Sequence, residues 1–227
     1  ETLAMEGGCP VRTRHWPRFD KGDVDVGTHE RRAVDRVLRS RRLFRYDSRN
    51  MEETEVGRFE LALCEFFGVK HALAVSSGTA ALAVSLMAAG VQGHEVLCSS
   101  FAFAADPSAI LLAGAKPVLV DVGPHLHMDM ADLEARITPQ SKAIVVVHQR
   151  GQAGDIAELL SVARRHNLHV IEDAVPALGA TIDGRYLGTF GTFGAFSTQA
   201  DKSLNTGEGG LPSGPGFPSP PTHRCTD

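Results

Sequence analysis

Between Glu55 and Gly210 the apolar positions follow two alternating rhythms. Short, mostly apolar runs occur at 72–75 (ALAV), 95–98 (EVLC), 117–120 (PVLV), 143–147 (AIVVV) and 169–172 (HVIE). Longer segments with helical spacing separate them, at 79–89, 106–113, 131–136 and 155–166. Ahead of these, Phe59, Leu63, Phe66 and Phe67 fall on one helical face, and Gly68 marks a stop. Strands that are apolar throughout suit a sheet covered on both faces, and their alternation with helices predicts an α/β fold with a mostly parallel sheet. In such sheets ligands gather at the C-terminal ends of the strands.

The flanks differ. Residues 1–28 show no period and hold Gly7-Gly8, Pro10 and Pro17, which predicts an extended N-terminal arm. Residues 29–42 read as a helix rich in arginine, with Val34, Val37 and Leu38 as its buried face. The arginines suit either a solvated helix face or a polyanion site, and one near the end of the run could meet a phosphorylated substrate. The last seventeen residues, 211–227, contain five of the twelve prolines, which predicts a disordered tail without strand or helix.

Composition narrows the function. The 227 residues are 43% hydrophobic and 22% charged, ordinary for a globular protein with a sizeable core. A net charge of -4 argues against a generic nucleic-acid binder. No apolar run is long enough to span a bilayer, no signal peptide is visible, and a cytoplasmic location is expected. Cys9, Cys64, Cys98 and Cys225 form no C-x-x-C pair; Cys64 and Cys98 read as buried free thiols.

Four features sit at strand ends. Ser76-Ser77-Gly78-Thr79 lies between ALAV and an Ala-rich helix; it is either a phosphate seat or a plain N-cap. Glu172-Asp173 follows HVI, and Asp173 suits either a protonated ring nitrogen or a cap or ion pair. Lys202 is one of five lysines; the others are Lys21, Lys70, Lys116 and Lys142, the last three beside strand starts and expected to be solvated. Lys202 instead stands between FGTFGAFS at 190–197 and the Gly207-Glu208-Gly209-Gly210 loop, a partly desolvated place where a lysine can form an imine. Ser197 offers a second hydroxyl to a phosphate. Phe101 and Phe103 follow EVLC and suit stacking on a heterocycle or core packing. His125 and His127, with Asp129 nearby, lack a third ligand at helical spacing, so no metal site is expected. G-x-S-x-G and G-x-G-x-x-G patterns are missing.

In their order these motifs resemble the DegT/DnrJ/EryC1/StrS family of sugar aminotransferases. The resemblance covers roughly Phe59 to Gly210 and rests on FELALCEFFGVKHALAVSSGTAAL, AILLAGAKPVLVDV, ITPQSKAIVVVH, VIEDAVPALGA and DKSLNTGEGG. It implies an aspartate-aminotransferase-like large domain (fold type I) over 29–210 that binds pyridoxal 5'-phosphate in a homodimer. By position, Lys202 matches the lysine that holds the cofactor covalently and Asp173 the aspartate on the pyridine nitrogen. Gly78, Thr79 and Ser197 match phosphate contacts, and Phe103 the stacked aromatic. The implied reaction moves an amino group from glutamate or glutamine to a keto-sugar or keto-cyclitol, in secondary-metabolite or cell-surface sugar biosynthesis. GGCPVRTRHWP and FSTQADK resemble the branch that aminates scyllo-inosose and related cyclitols. The chain departs from the family's pattern at Pro176, where glutamine is usual, and at His148-Gln149-Arg150-Gly151, where H-x-Y-G is usual. Alternatives are other imine chemistry on the same fold, an inactive fragment, or a ligand-binding regulatory protein. Because the pattern breaks at Gly210–Leu211, the expectation is a truncated or frame-shifted product. It would lack the next strand and the small C-terminal domain, and would be unstable and catalytically poor.

Overall fold

The computed structural model describes residues 2–10, 14, 26–45 and 53–214. The arm is described only in part, with a 3-10 turn at Ala4–Glu6. Most of the tail expected to be disordered, 215–227, lies outside the described residues.

Helices α1 (Thr28–Ser40), α2 (Glu55–Phe67) and α3 (Gly78–Ala88) come first. Then β1 (Glu95–Ser99), α4 (Ala105–Leu112), β2 (Lys116–Val120), α5 (Met130–Arg136), β3 (Ser141–Val147), α6 (Ile156–Arg165) and β4 (His169–Asp173) alternate. A small hairpin, β5 (Thr181–Ile182) and β6 (Arg185–Tyr186), precedes β7 (Phe193–Ser197) and β8 (Gly210–Ser213). The main sheet runs β2-β1-β3-β4-β7-β8, parallel except for the β7–β8 pair. The chain is therefore α/β with a mostly parallel sheet, as the alternating pattern predicts.

Period-2 alternation divides the core between the two faces of the sheet. Val96, Cys98, Ala143, Val145 and Ile171 pack under α3 and α4. Leu97, Ile144, Val146 and Val170 pack against α5 and α6. At the β7–β8 end, Phe67 of α2 stacks on Phe196 with ring centroids 4.5 Å apart. Helix α2 starts at Thr54, whose side chain accepts from the Gly57 N–H, and stops at Gly68 in the left-handed region.

Three expectations are corrected. The strand said to be missing after Gly210 is present: β8 is fully buried and pairs with β7 through Leu211↔Phe196 and Ser213↔Gly194. Pro212 is tolerated because its carbonyl faces away from β7 and accepts from the Leu73 N–H at 3.1 Å, so its missing donor falls on that same outer side. Segment 72–75 runs along this outer edge, with Val75 and Gly210 exchanging both bonds at 2.9 Å. Ala72 and Val75 thus form bridges rather than the continuous strand that ALAV suggests, since Pro212 removes one ladder bond. The third correction concerns α1, which forms as expected but buries no residue. Val34 and Leu38 are exposed, because the fold gives their stripe no surface to cover them. Two of its four arginines are engaged with acids, Arg36 with Glu55 and Arg39 with Asp35, as on a solvated face.

Gly210 packs so closely on the turn before α3 that a Cβ there would lie 2.1 Å from the Ser77 carbonyl oxygen and 2.7 Å from the Gly78 nitrogen. Gly210→Ala is therefore expected to destabilise the chain by about 1–3 kcal/mol through backbone displacement. Chemical denaturation measures it; an unchanged midpoint would show that this contact is slack.

Candidate active site

The strand ends on one side of the sheet bring most of the candidate residues together. Ser77 caps α3, its hydroxyl accepting from the Ala80 N–H at 3.0 Å. Capping leaves the first N–H groups of this eleven-residue helix without intrahelical partners, at its positive end. Ser197, at the end of β7, is buried against that terminus; a Cβ on Gly78 would lie 3.0 Å from the Ser197 Cβ and 3.5 Å from its Oγ. The N-cap and phosphate-seat readings are therefore compatible.

Asp173 ends β4 and is buried. Its Oδ1 accepts from the Val175 N–H at 2.9 Å. Burial raises its pKa, opposed by the Val175 N–H, by Asp106, and by the charges of His148 and Lys202. Lys202 thus acts electrostatically on Asp173. It rides a loop tied at its base: the Thr198 N–H donates to the Gly209 carbonyl at 3.0 Å and the Thr206 N–H to the Thr198 carbonyl at 2.9 Å. The Lys202 side chain is 32% exposed, with Nζ 3.9 Å from Asp201 Oδ1, which agrees with a partly desolvated lysine. Among the lysines expected to be solvated, Lys116 pairs with Glu95 at 2.9 Å and Lys142 is half-buried.

Phe103 is not packed in the core; the residue is 77% exposed on the loop after β1. The neighbouring Phe101 carbonyl accepts from Gln149 Nε2 at 2.9 Å, tying the loops after β1 and β3. Arg150 is exposed, with a left-handed φ of 53°, and Pro176 is exposed in the turn after β4. Arg45 makes a paired contact with the carboxylate of Glu60, whose Oε1 also accepts from the Ala74 N–H at 2.7 Å, so it serves the fold. Asp129 caps α5 rather than joining His125 and His127, and among the described residues no three or more His, Cys, Asp or Glu side chains cluster as metal ligands would.

The role of Glu172 and the whole of Asp106 escaped the sequence reading. Glu172 points to the opposite face from Asp173 and is completely buried. It accepts from His148 Nε2 at 2.7 Å, from the Gly188 N–H at 2.8 Å and from the Gly191 N–H. Asp106, in the first turn of α4, is 1% exposed, and neither oxygen receives a hydrogen bond. Its pKa is raised to about 8 by burial and by the nearby charge of Asp173. A signal for Asp106 existed: it is the only charged residue between Glu95 and Lys116.

A mostly parallel sheet with a helix N-terminus, a buried carboxylate and a lysine at its strand ends has its polar groups where α/β folds hold ligands. Residues 25–212 match the DegT/DnrJ/EryC1/StrS aminotransferase family, and the chain belongs to it. It is 42% identical over 214 residues to an L-glutamine:2-deoxy-scyllo-inosose aminotransferase of Streptoalloteichus tenebrarius, covering 92% of this chain and 49% of that protein. It is 46% identical over 164 residues to a GDP-perosamine synthase of Caulobacter vibrioides, covering 70% and 44% respectively. The solved aminotransferase of Psychrobacter cryohalolentis superposes with a TM-score of 0.77 at 35% identity, over 84% of this chain and 48% of that one. The chain thus spans just under half the length of these relatives. Among the described residues, no helix is long and apolar enough to cross a membrane.

The Glu172 cluster should be critical to the site's frame. Glu172→Gln replaces one acceptor oxygen with a donor facing donors, with an expected loss of about 1–3 kcal/mol. Denaturant unfolding tests it, and an unperturbed midpoint would mean that the three donors find other partners.

Proposed function

We propose that this chain is the cofactor-binding portion of an aminotransferase that holds pyridoxal 5'-phosphate. It would move an amino group from glutamate or glutamine to a keto-sugar or keto-cyclitol, as a homodimer. The observation that supports this most is that Asp173, Lys202, Ser197 and the α3 N-terminus meet at one set of strand ends. The site residues fit the cofactor: it carries a phosphate, a ring nitrogen and an aldehyde, and the site offers an anion seat, a buried carboxylate and an amine.

Each role follows from its surroundings. The N–H groups of Gly78 and Thr79 with the Ser197 hydroxyl would bind the phosphate, helped by the helix dipole. Asp173 would keep the ring nitrogen protonated, and its burial strengthens that interaction. Phe103, exposed on its loop, would cover one face of the ring. Lys202 Nζ would hold the cofactor covalently and carry a proton to and from the substrate carbon, as base and then acid. When bound, the cofactor supplies an electron-withdrawing ring that stabilises charge on that carbon. The substrate class follows the named relatives, one a GDP-perosamine synthase and one a cyclitol aminotransferase. The exposed Val34 and Leu38 stripe of α1 suits burial by a second copy, and the free thiols Cys64 (half-buried) and Cys98 (buried) suit a reducing cytoplasm.

Two experiments test this reading. Borohydride reduction with pyridoxal 5'-phosphate should fix the cofactor to the peptide containing Lys202; labelling of Lys142 or Lys70 instead overturns the assignment. Asp173→Asn should retain bound cofactor yet slow single-turnover amino transfer from glutamine by on the order of a hundredfold. A rate near that of the unsubstituted chain would make Asp173 structural.

A further inference from the structure

Asp106 is a carboxylic acid in a dry place, and its surroundings fix its state. Helix α4 packs on α3, β1 and β2. Helix α3 brings no titratable side chain. From β1 comes Cys98, whose thiol is pushed up to about 12 by burial and by the charge of Asp106. From β2 comes Lys116, already paired with Glu95. From β4 comes Asp173, with His148 and Lys202 beyond it. No cation or N–H among the described residues bonds to Asp106, so an ionised Asp106 would be a buried, uncompensated charge beside a second carboxylate. Two carboxylates have no hydrogen between them, but a single proton would let one donate to the other.

The partition of that proton follows from the asymmetry of the pair. Asp173 has the Val175 N–H and the charges of His148 and Lys202 to favour its anion, whereas Asp106 has none of these. We propose that Asp106 is a positioning residue: a neutral acid that donates a hydrogen bond to Asp173 and leaves it the single anionic carboxylate, fixed in orientation, facing the ligand. The shared proton is a property of the cofactor-free chain, and only the purpose of the orientation rests on the cofactor reading above.

The sign of the pH effect is determined. An aspartate whose folded pKa is raised from 3.8 to about 8 favours folding fully below the lower value, and that contribution is lost as pH rises through the upper one. The Asp106 contribution to the stability of the cofactor-free chain should therefore fall between about pH 4 and about pH 8, so the melting midpoint of Asp106→Asn relative to the unsubstituted chain should rise over that window. At neutral pH, infrared spectra should show a protonated-carboxylic-acid carbonyl band that is lost in Asp106→Asn. Lack of that band in the unsubstituted chain overturns the proposal whether or not the variant folds, as does its survival in Asp106→Asn. With pyridoxal 5'-phosphate as the probe, Asp106→Asn, which keeps a donor, should bind nearly as well as the unsubstituted chain, and Asp106→Leu about tenfold more weakly. Equal binding by Asp106→Leu refutes the positioning role. If the unsubstituted chain shows the band but binds no cofactor, the cofactor reading fails and the positioning role falls with it, while the shared proton stands.

Discussion

Glu172 and Asp173 are consecutive, buried and opposite in consequence. The alternation of a β-strand turns one to each face of the sheet. Glu172 meets three donors, from His148, Gly188 and Gly191, and with them joins β3, β4 and the loop leading to β7. Asp173 receives one backbone N–H and faces a second acid. The first carboxylate holds the frame. The second is left with capacity to interact, in a place where any charge interaction is strong. Much of the site depends on this division, because satisfying Glu172 locks β4 in a register that directs Asp173 towards Asp106 and Lys202.

The same frame brings distant parts of the chain together. Segment 72–75 lies on β8, and β8 on β7, so the turn before α3 meets the end of the Lys202 loop although more than a hundred residues separate them. Only glycine fits at position 210, where the two backbones touch. The phosphate-seat candidate and the lysine are thus set relative to each other by backbone pairing, which is stiffer than side-chain contact.

Most of this architecture is legible from the hydrophobic rhythm. EVLC, PVLV, AIVVV and HVIE became β1 to β4, and the helical segments between them became α4, α5 and α6, because buried parallel strands leave an unbroken apolar signature. The misreadings have physical causes. The proline content of 211–227 hid β8, since composition averages over seventeen residues whereas the strand needs only the first few and Pro212 turns its missing donor outward. The apolar stripe of α1 was read as core although periodicity shows only that a face exists, not what covers it. Asp106 is marked in the sequence only by its isolation among uncharged residues; its burial arises from the packing of α4 against α3 and β1.

The central claim is that the α3 N-terminus, the β4 end and the Lys202 loop form one site for one ligand. Amide hydrogen exchange on titration with pyridoxal 5'-phosphate tests it most directly. The account predicts that protection rises together, with a single saturating midpoint, at the start of α3, at Asp173–Val175 and across 198–209. Protection confined to one of these segments, or appearing at separate midpoints, would contradict it.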